Sequence, residues 1–313
     1  MSNINTNTPS ASAQSLATKS FNPKAFGPKP FRVSPGRIGL YLFLLAAAAF
    51  FILPLYVMVV TSFKSLDEVR MAQIFVLPSH LDFSAWIGAW SSECDYEQCS
   101  GISQGFWNSV KITVPATVIS VLLGAFVGYI LSFWRPKGAE ILFGIIVVTG
   151  FVPLQVFIYP TVRAIAYLDI YGTLWAIILV HIIFSLPLTV LLFRNYYVSI
   201  PHDLFQAARI DGAGFFRIFR SLMLPMATPM LVVAGILQFT GIWNDFLLGL
   251  VFAGRDNLPM TVQLNNIVNT TFGEVQYNLN MAATLLTAAV PLAAYFVSGR
   301  WFVRGITAGA VKG

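Results

Sequence analysis

Six apolar runs dominate the chain, near residues 38–62, 108–133, 141–160, 173–193, 226–251 and 281–299. Coiled as a helix, each is long enough to cross a hydrocarbon core about 30 Å thick. Inside lipid, every backbone N–H and C=O must be satisfied by the segment itself, so the runs are expected to be helices. The expected fold class is therefore an all-α polytopic membrane protein with six transmembrane helices. Composition agrees: 10% of the residues are charged, against about 25% in a soluble domain.

Charge sets the expected orientation. Of the 19 Lys and Arg, 14 fall in residues 1–37, the 134–140 turn, the 194–225 interval and the C-terminus. Most acids fall on the other side, among them Asp67, Glu68, Asp82, Glu93, Asp95, Glu97, Asp169, Asp256 and Glu274. By the positive-inside rule both termini are expected in the cytoplasm. The same rule accounts for the net charge of +6. No basic and aromatic residues interleave, so nucleic acid is not an expected partner. Residues 1–37 are polar, hold no acid and lack the pattern of a signal peptide. They read as a disordered basic cytoplasmic tail, or alternatively as an arm for lipid or a partner. Residues 38–299 form the membrane domain, and 300–313 a short cytoplasmic tail.

One interval does not belong in lipid. "QAARIDGAGFFRIFRSLMLP", Gln206 to Pro225, and its approach hold Asp203, Arg209, Asp211, Arg217 and Arg220. Burying these five at the bilayer centre would cost about 12–18 kcal/mol in all, so residues of about 200–225 form a cytoplasmic loop. Pro201 suits the start of a helix and Asp203 its positive end, which predicts a short helix over about 201–210. Gly212-Ala213-Gly214 would break it. A second helix follows, with Phe215, Ile218, Phe219 and Leu222 as an apolar stripe and Arg217, Arg220 and Ser221 off it. Pro225 would start the next span. Such an elbow displays Ala207, Ala208 and Ala213, and it suits either lipid headgroups or a closely approaching protein.

The loop resembles the EAA loop of ABC-importer permeases. Gln206-Ala207-Ala208, Asp211-Gly212-Ala213 and Leu222-Met223-Leu224-Pro225 stand at the places of its Glu-Ala-Ala, its glycine and its distal Ile-x-Leu-Pro. "WNDF" (Trp243 to Phe246) and "RWFVRGITAGAVKG" (Arg300 to Gly313) are similar to the MalG-like carbohydrate permeases, and the likeness covers roughly residues 38–313. Gln206 and Leu222 depart from the usual Glu and Ile. The resemblance implies the type I ABC importer permease fold in a bacterial inner membrane. It also implies a binding-protein-dependent, ATP-driven sugar importer working by alternating access. In that family the elbow is a coupling helix docked on an ATPase, which carries this role onto Gln206, Ala207, Ala208, Arg209, Asp211, Gly212, Ala213, Phe215, Arg217 and Pro225. The implied partners are a second homologous permease subunit in a heterodimer, two ATPase subunits, an extracytoplasmic sugar-binding protein and membrane lipid. Thr307 to Gly313 would be a second ATPase contact, or merely an anchor.

The chain has no G-x-x-x-x-G-K-[ST] phosphate loop. ATP and Mg are therefore expected on the partner ATPase, with no cofactor in this chain. No Ser–His–Asp set or His/Glu metal pair marks an enzyme. The rival reading is an ion-coupled secondary transporter, which commonly carries internal repeats and intramembrane carboxylates that are not evident here.

On the outer side, Cys94 and Cys99 are the only cysteines. An oxidising compartment permits a disulfide between them; two free thiols are the alternative, and without a nearby His they do not suggest a metal site. This long first outer loop resembles that of glucose/mannose-type importers. The polar 252–280 loop would face the binding protein. Within the spans, Asp245 is the one acid, expected near the outer interface as a structural hydrogen-bonder or part of a gate. Gln238 and Asn244 are candidate partners for sugar hydroxyls, Trp243 for a sugar face, and Thr284 and Thr287 for a cavity wall. His181 reads as an interhelical hydrogen-bonder.

Overall fold

A computed structural model describes residues 35–71, 73–91, 94–95, 98–99, 101–269 and 275–310, with backbone alone for 94–95, 98–99 and 300–310. In chain order the helices are α1 (Pro35–Ser62), α2 (Leu66–Arg70), α3 (Ser84–Trp90), α4 (Ser103–Tyr129), α5 (Ala139–Thr149), α6 (Leu154–Tyr167) and α7 (Leu174–Val198). Then come α8 (His202–Ile210), α9 (Phe215–Ile218), α10 (Leu224–Met226), α11 (Thr228–Trp243), α12 (Leu247–Phe252), α13 (Met260–Val268) and α14 (Tyr277–Ala310). π-helical turns extend α4 over Ile130–Trp134 and join α9 to α10 over Phe219–Met223. Two short strands, β1 (Cys94–Asp95) and β2 (Gln98–Cys99), form a hairpin.

Four helices are continuous, apolar and long enough to cross a membrane: Pro35–Ser62, Ser103–Trp134, Leu174–Val198 and Tyr277–Gly299. Two of the six expected spans are broken instead. Run 141–160 divides into α5 and α6, set at 105° to each other. Arms of 11 and 14 residues reach only about 16 and 21 Å, so neither spans alone. The break falls at Gly150 to Pro153, where Pro153 has no N–H to continue the ladder. The fifth run also differs from expectation. The elbow arm Phe215–Met226 meets α11 at 76°, so the span proper begins at Thr228, with Pro229 in its first turn, rather than at Pro225. It ends at Trp243, short of 251.

One further difference concerns a loop. The 252–280 interval is not simply a solvated loop, because α13 lies within it with Met260 and Val262 buried. Asn108 Nδ2 donates to the carbonyls of Asp256 and Leu258, and the Met260 amide donates to Ser109 Oγ at 2.8 Å, pinning this segment to α4. At the other end, the backbone of α14 stays helical to Ala310, with no break at residue 300.

The chain divides into two units, Met1–Leu53 and Pro54–Gly313. The core of the second is organised on α4 and α7. Gly124 and Gly128 lie one helical turn apart on α4; a Cβ on Gly124 would fall 2.4 Å from Thr189 Cβ, and one on Gly128 2.9 Å from Phe193 Cβ. Small residues at this spacing let two helix backbones approach closely. One apolar cluster around this crossing includes Tyr129, Phe133, Phe193, Tyr197, Phe205, Ile218 and Met223. A second joins α4, α6, α7, α11 and α12 through Ile112, Ile165, Ile177, Ile242 and Phe252. A third packs Trp243 against Met260, Ala282 and Ala283.

Candidate functional site

The interval that charge excludes from lipid folds as an elbow. Helix α8 begins one residue after Pro201, with Asp203 in its first turn and Arg209 in its last, each complementing the nearby end of the helix dipole. The helix closes as Asp211 N–H donates to Ala207 O and Gly212 N–H to Arg209 O, both at 3.0 Å. Gly212 has φ +79°, while a Cβ there would meet nothing within 4 Å. The requirement for glycine is therefore conformational rather than a matter of space. Gly214 has φ −77° and ψ 172°, which other residues adopt; of the two glycines, Gly212 makes the turn.

The inner face of the elbow is anchored to α4 and its π-helical turn by an aromatic cluster. Trp134 Nε1 donates to Tyr129 Oη at 2.7 Å, and Tyr129 Oη donates to the Phe215 carbonyl at 3.2 Å. Ring centroids lie 4.9 Å apart for Trp134 and Phe215, 5.0 Å for Phe133 and Phe205, and 5.2 Å for Phe126 and Phe219. Arg209 extends its guanidinium over Trp134, 5.4 Å from the ring centre, an arrangement that favours the cation electrostatically. Tyr196 of α7 reaches the far side, donating to Met226 O at 2.8 Å.

The outer face is mixed. Gln206, Ala207, Arg209, Asp211, Gly212, Arg217, Arg220 and Pro225 are exposed. Ala208, Ala213 and Phe215 are half-buried against the aromatic cluster. Of the three alanines expected on display, only Ala207 is, because burial of Phe205 turns Ala208, three residues on, toward the same side. The expected apolar stripe faces inward: Ile218 is buried, and Phe219 and Leu222 are half-buried. Three exposed apolar residues escaped the sequence reading: Leu204, Ile210 at 86% and Phe216 at 70% exposure. For Phe216 the signal was available, since a large apolar side chain off the core-facing stripe of a short helix has nothing in its own chain to cover it.

The candidate pathway residues are scattered over α11, α14 and the loop after α11. Trp243 is buried, stacked on Phe239 at 5.9 Å, and its Nε1 donates to Thr287 O at 3.2 Å; packing occupies the ring. Gln238 is buried, Asn244 exposed and Thr284 half-buried. The hydroxyls of Thr284 and Thr287 donate to their own helix, at Asn280 O and Ala283 O. Asp245 sits in the break between α11 and α12, where its carboxylate accepts the Gly249 amide at 3.0 Å and its main-chain oxygen accepts Thr261 Oγ1 at 2.6 Å. His181 Nε2 of α7 is 3.9 Å from Asp245 Oδ2, too far for a hydrogen bond. The hairpin backbone pairs Cys94 directly opposite Cys99; their side chains, and with them the expected disulfide, lie outside the described residues. So do residues 1–34, and the side chains of 300–310.

Comparison with known proteins places this geometry. Residues 120–308 match the family described as binding-protein-dependent transport system inner membrane component. An osmoprotective compounds uptake permease protein of Synechocystis sp. is 39% identical over 70% of this chain and 73% of its own length. An alpha-glucoside transport system permease protein of Rhizobium meliloti is 37% identical over 68% of this chain, which spans 58% of that relative. In structure, the chain superposes on a bacterial ABC transporter involved in import of the acidic polysaccharide alginate. The TM-score is 0.72 over 87% of this chain and 99% of that one, at 21% identity. By the family match, the relatives and the shared fold, this chain belongs to the inner membrane components of binding-protein-dependent transport systems, the non-enzymatic permease subunits of ABC importers.

Proposed function

We propose that the chain is the permease subunit of a binding-protein-dependent sugar importer, and that its elbow is where an ATPase subunit docks. The observation that carries the docking assignment is the two-sided elbow. One side is fixed to α4 through Tyr129, Trp134 and Phe205; the other presents Ala207, Ile210 and Phe216 among the charges of Arg209, Asp211 and Arg217. A protein groove would bury Ile210 and Phe216 while the rim charges orient it. Alternating access then follows from moving the elbow with the spans it is anchored to.

In this reading both termini are cytoplasmic, the membrane is the bacterial inner membrane, and the complex holds a second, homologous permease and two ATPases that bind ATP and Mg. A sugar-laden binding protein would meet the outer loops. The substrate is a mono- or oligosaccharide, with a lean to the glucose/mannose type; the alpha-glucoside relative supports the sugar class. Gln238, Asn244 and Thr284 are the polar groups assigned to the pathway, with Asp245 placing the loop after α11.

The test is reconstitution of the chain with its second permease, the ATPase and the binding protein. Ile210→Glu and Phe216→Glu should each remove ATPase co-purification while the permease pair stays in the membrane. Retained co-purification in both variants would overturn the docking assignment. Failure of every tested sugar to stimulate ATP hydrolysis by the wild-type complex would overturn the substrate class separately.

A further inference from the structure

The stretch joining α2 to α3 is apolar and uncovered. Met71, Ile74, Phe75, Val76, Leu77 and Leu81 are all exposed, and no Asp, Glu, Lys or Arg occurs between Met71 and Leu81. Single exposed apolar side chains are ordinary, but a contiguous group of this kind marks an interaction surface. The charges on either side are occupied close by. Asp67 pairs with Arg70 at 3.1 Å, Ser79 N–H donates to Glu68 Oε1 at 2.9 Å, and Asp82 Oδ1 accepts the Ser84 amide at 2.8 Å.

One hydrogen bond sets the depth of this stretch. Tyr56 Oη of α1 donates to Phe75 O at 2.8 Å, although Phe75 comes 13 residues after Ser62, where the helix ends. Tyr56 stands six residues before that end, about 9 Å along the axis, and a helical side chain leans toward the N-terminus. The chain therefore doubles back beside α1. That helix has 28 residues; centred on a core of about 30 Å, its length of about 42 Å overhangs each face by about 6 Å. The level of Tyr56 is then about 3 Å inside the hydrocarbon edge. Main-chain groups at such a depth need partners within the protein, and several have them. Gln73 O accepts Nζ of the buried Lys64 at 2.6 Å and the Val76 amide at 3.4 Å, Phe75 O accepts Tyr56, and Pro78 has no N–H.

We propose that residues 71–81 are an interfacial anchor whose tip, Ile74 to Leu77, enters the acyl chains of the leaflet in which α1 ends. The tip continues the apolar surface that α1 exposes beside it at Leu55 and Val59, and a water-soluble partner does not reach below the hydrocarbon edge. Lys64, which holds the Gln73 carbonyl, also accepts Asn278 Nδ2 on its own carbonyl at 3.1 Å. The anchor thereby fixes the height of both the end of α1 and the start of α14. It depends neither on which solute is carried nor on what docks at the elbow.

The experiment uses the full chain assembled with its partner subunits in vesicles of phosphatidylethanolamine and phosphatidylglycerol. In a Cys94→Ser, Cys99→Ser background, nitroxide labels are attached at Val76→Cys, Leu77→Cys and, as the control, His80→Cys. Collision with oxygen, which concentrates in lipid, is compared with collision with a water-soluble nickel chelate. Oxygen should dominate at residues 76 and 77, and the nickel chelate at 80. Nickel dominance at all three places the tip in water and overturns the proposal. Shielding of 76 and 77 from both reagents places the tip against another protein and overturns it equally. Adding Tyr56→Phe removes the tie to Phe75 and should raise nickel collision at residue 76 about twofold or more; an unchanged rate overturns the role given to Tyr56. A second measurement keeps both cysteines. Benzoylphenylalanine in place of Phe75, illuminated in the same vesicles, should give a chain heavier by one phospholipid in mass spectrometry. Crosslinking to another subunit instead overturns the lipid assignment.

Discussion

Tyr129 on α4 donates a hydrogen bond to the main-chain carbonyl of Phe215, across the joint between a continuous span and the elbow, at 3.2 Å. The same oxygen accepts Trp134 Nε1 at 2.7 Å. One hydroxyl therefore ties together the π-helical turn, the helix before it and the second arm of the elbow. Tyr129→Phe keeps the ring stack and removes only this tie, at a cost of about 0.5–1.5 kcal/mol per hydrogen bond lost. The assembled importer should keep its ATPase but move less solute per ATP hydrolysed. An unchanged uptake-to-hydrolysis ratio would mean that ring packing alone transmits the motion.

The α4–α7 crossing depends on the absence of two side chains. A Cβ at Gly124 would stand 2.4 Å from Thr189 Cβ and 2.5 Å from its Oγ1. No rotamer of the new methyl relieves this, so the helices must separate and expose the apolar cluster around Phe193. Gly124→Ala should cost about 1–3 kcal/mol, the usual range for overpacking. Gly144→Ala on α5 is the control, since a Cβ there meets nothing within 4 Å; a helix-interior Gly→Ala change of that kind is neutral to stabilising by about 1 kcal/mol. Thermal unfolding of the two variants in detergent checks the pair, and equal melting temperatures would refute the close crossing.

At the turn of the elbow the two kinds of glycine constraint separate. Gly212 has open space around it and a left-handed backbone, so side-chain size matters less than backbone tolerance. Gly212→Asn should preserve ATPase association nearly intact, since asparagine visits this region readily. Gly212→Val, with a branched Cβ in the same space, should reduce association at least fivefold as the turn opens. Equal association of the Val variant would show that the turn is not what presents α8.

The apolar runs made the fold class and four continuous spans legible in the sequence, because hydropathy over some 20 residues reports the span directly. Breaks within runs were not legible in that way. Gly150 to Pro153 stays apolar enough to extend a run while its proline interrupts the helix, and Pro229 and Asn244 do the same for the fifth. In the elbow, period 3.6 correctly brought Phe215, Ile218, Phe219 and Leu222 to one side. The phase of α8 was not accessible, since it depends on where Phe205 meets Phe133 and Trp134, more than 70 residues earlier. For the same reason α13 read as a polar loop: its burial rests on Asn108, Ser109 and Gly105 of α4, and Gln263 Oε1 accepts the Gly105 amide at 2.8 Å. Phe216 stood off the stripe of Phe215, Ile218 and Phe219 and was legible as exposed, whereas Ile210 was not until the phase of α8 was known.

Asp245 separates a structural from a charge-dependent role in one substitution pair. Its carboxylate accepts the Gly249 amide in the first turn of α12 at 3.0 Å, and its nearest basic neighbour, His181 Nε2, is 3.9 Å away. If the carboxylate chiefly satisfies the free amides of α12, any side-chain oxygen of the same reach suffices. Asp245→Asn should then keep thermal stability and transport near wild type, because Asn and Asp serve such helix starts almost equally. Asp245→Ala removes the acceptor and should cost about 1 kcal/mol, along with the alignment of Thr261, whose hydroxyl bonds the Asp245 carbonyl at 2.6 Å. Were the charge itself required, for pairing with His181 or for the solute, the Asn variant would fold normally yet fail in transport. Measuring uptake and melting temperature for both variants distinguishes the two roles, and the geometry predicts that Asn behaves as wild type and Ala does not.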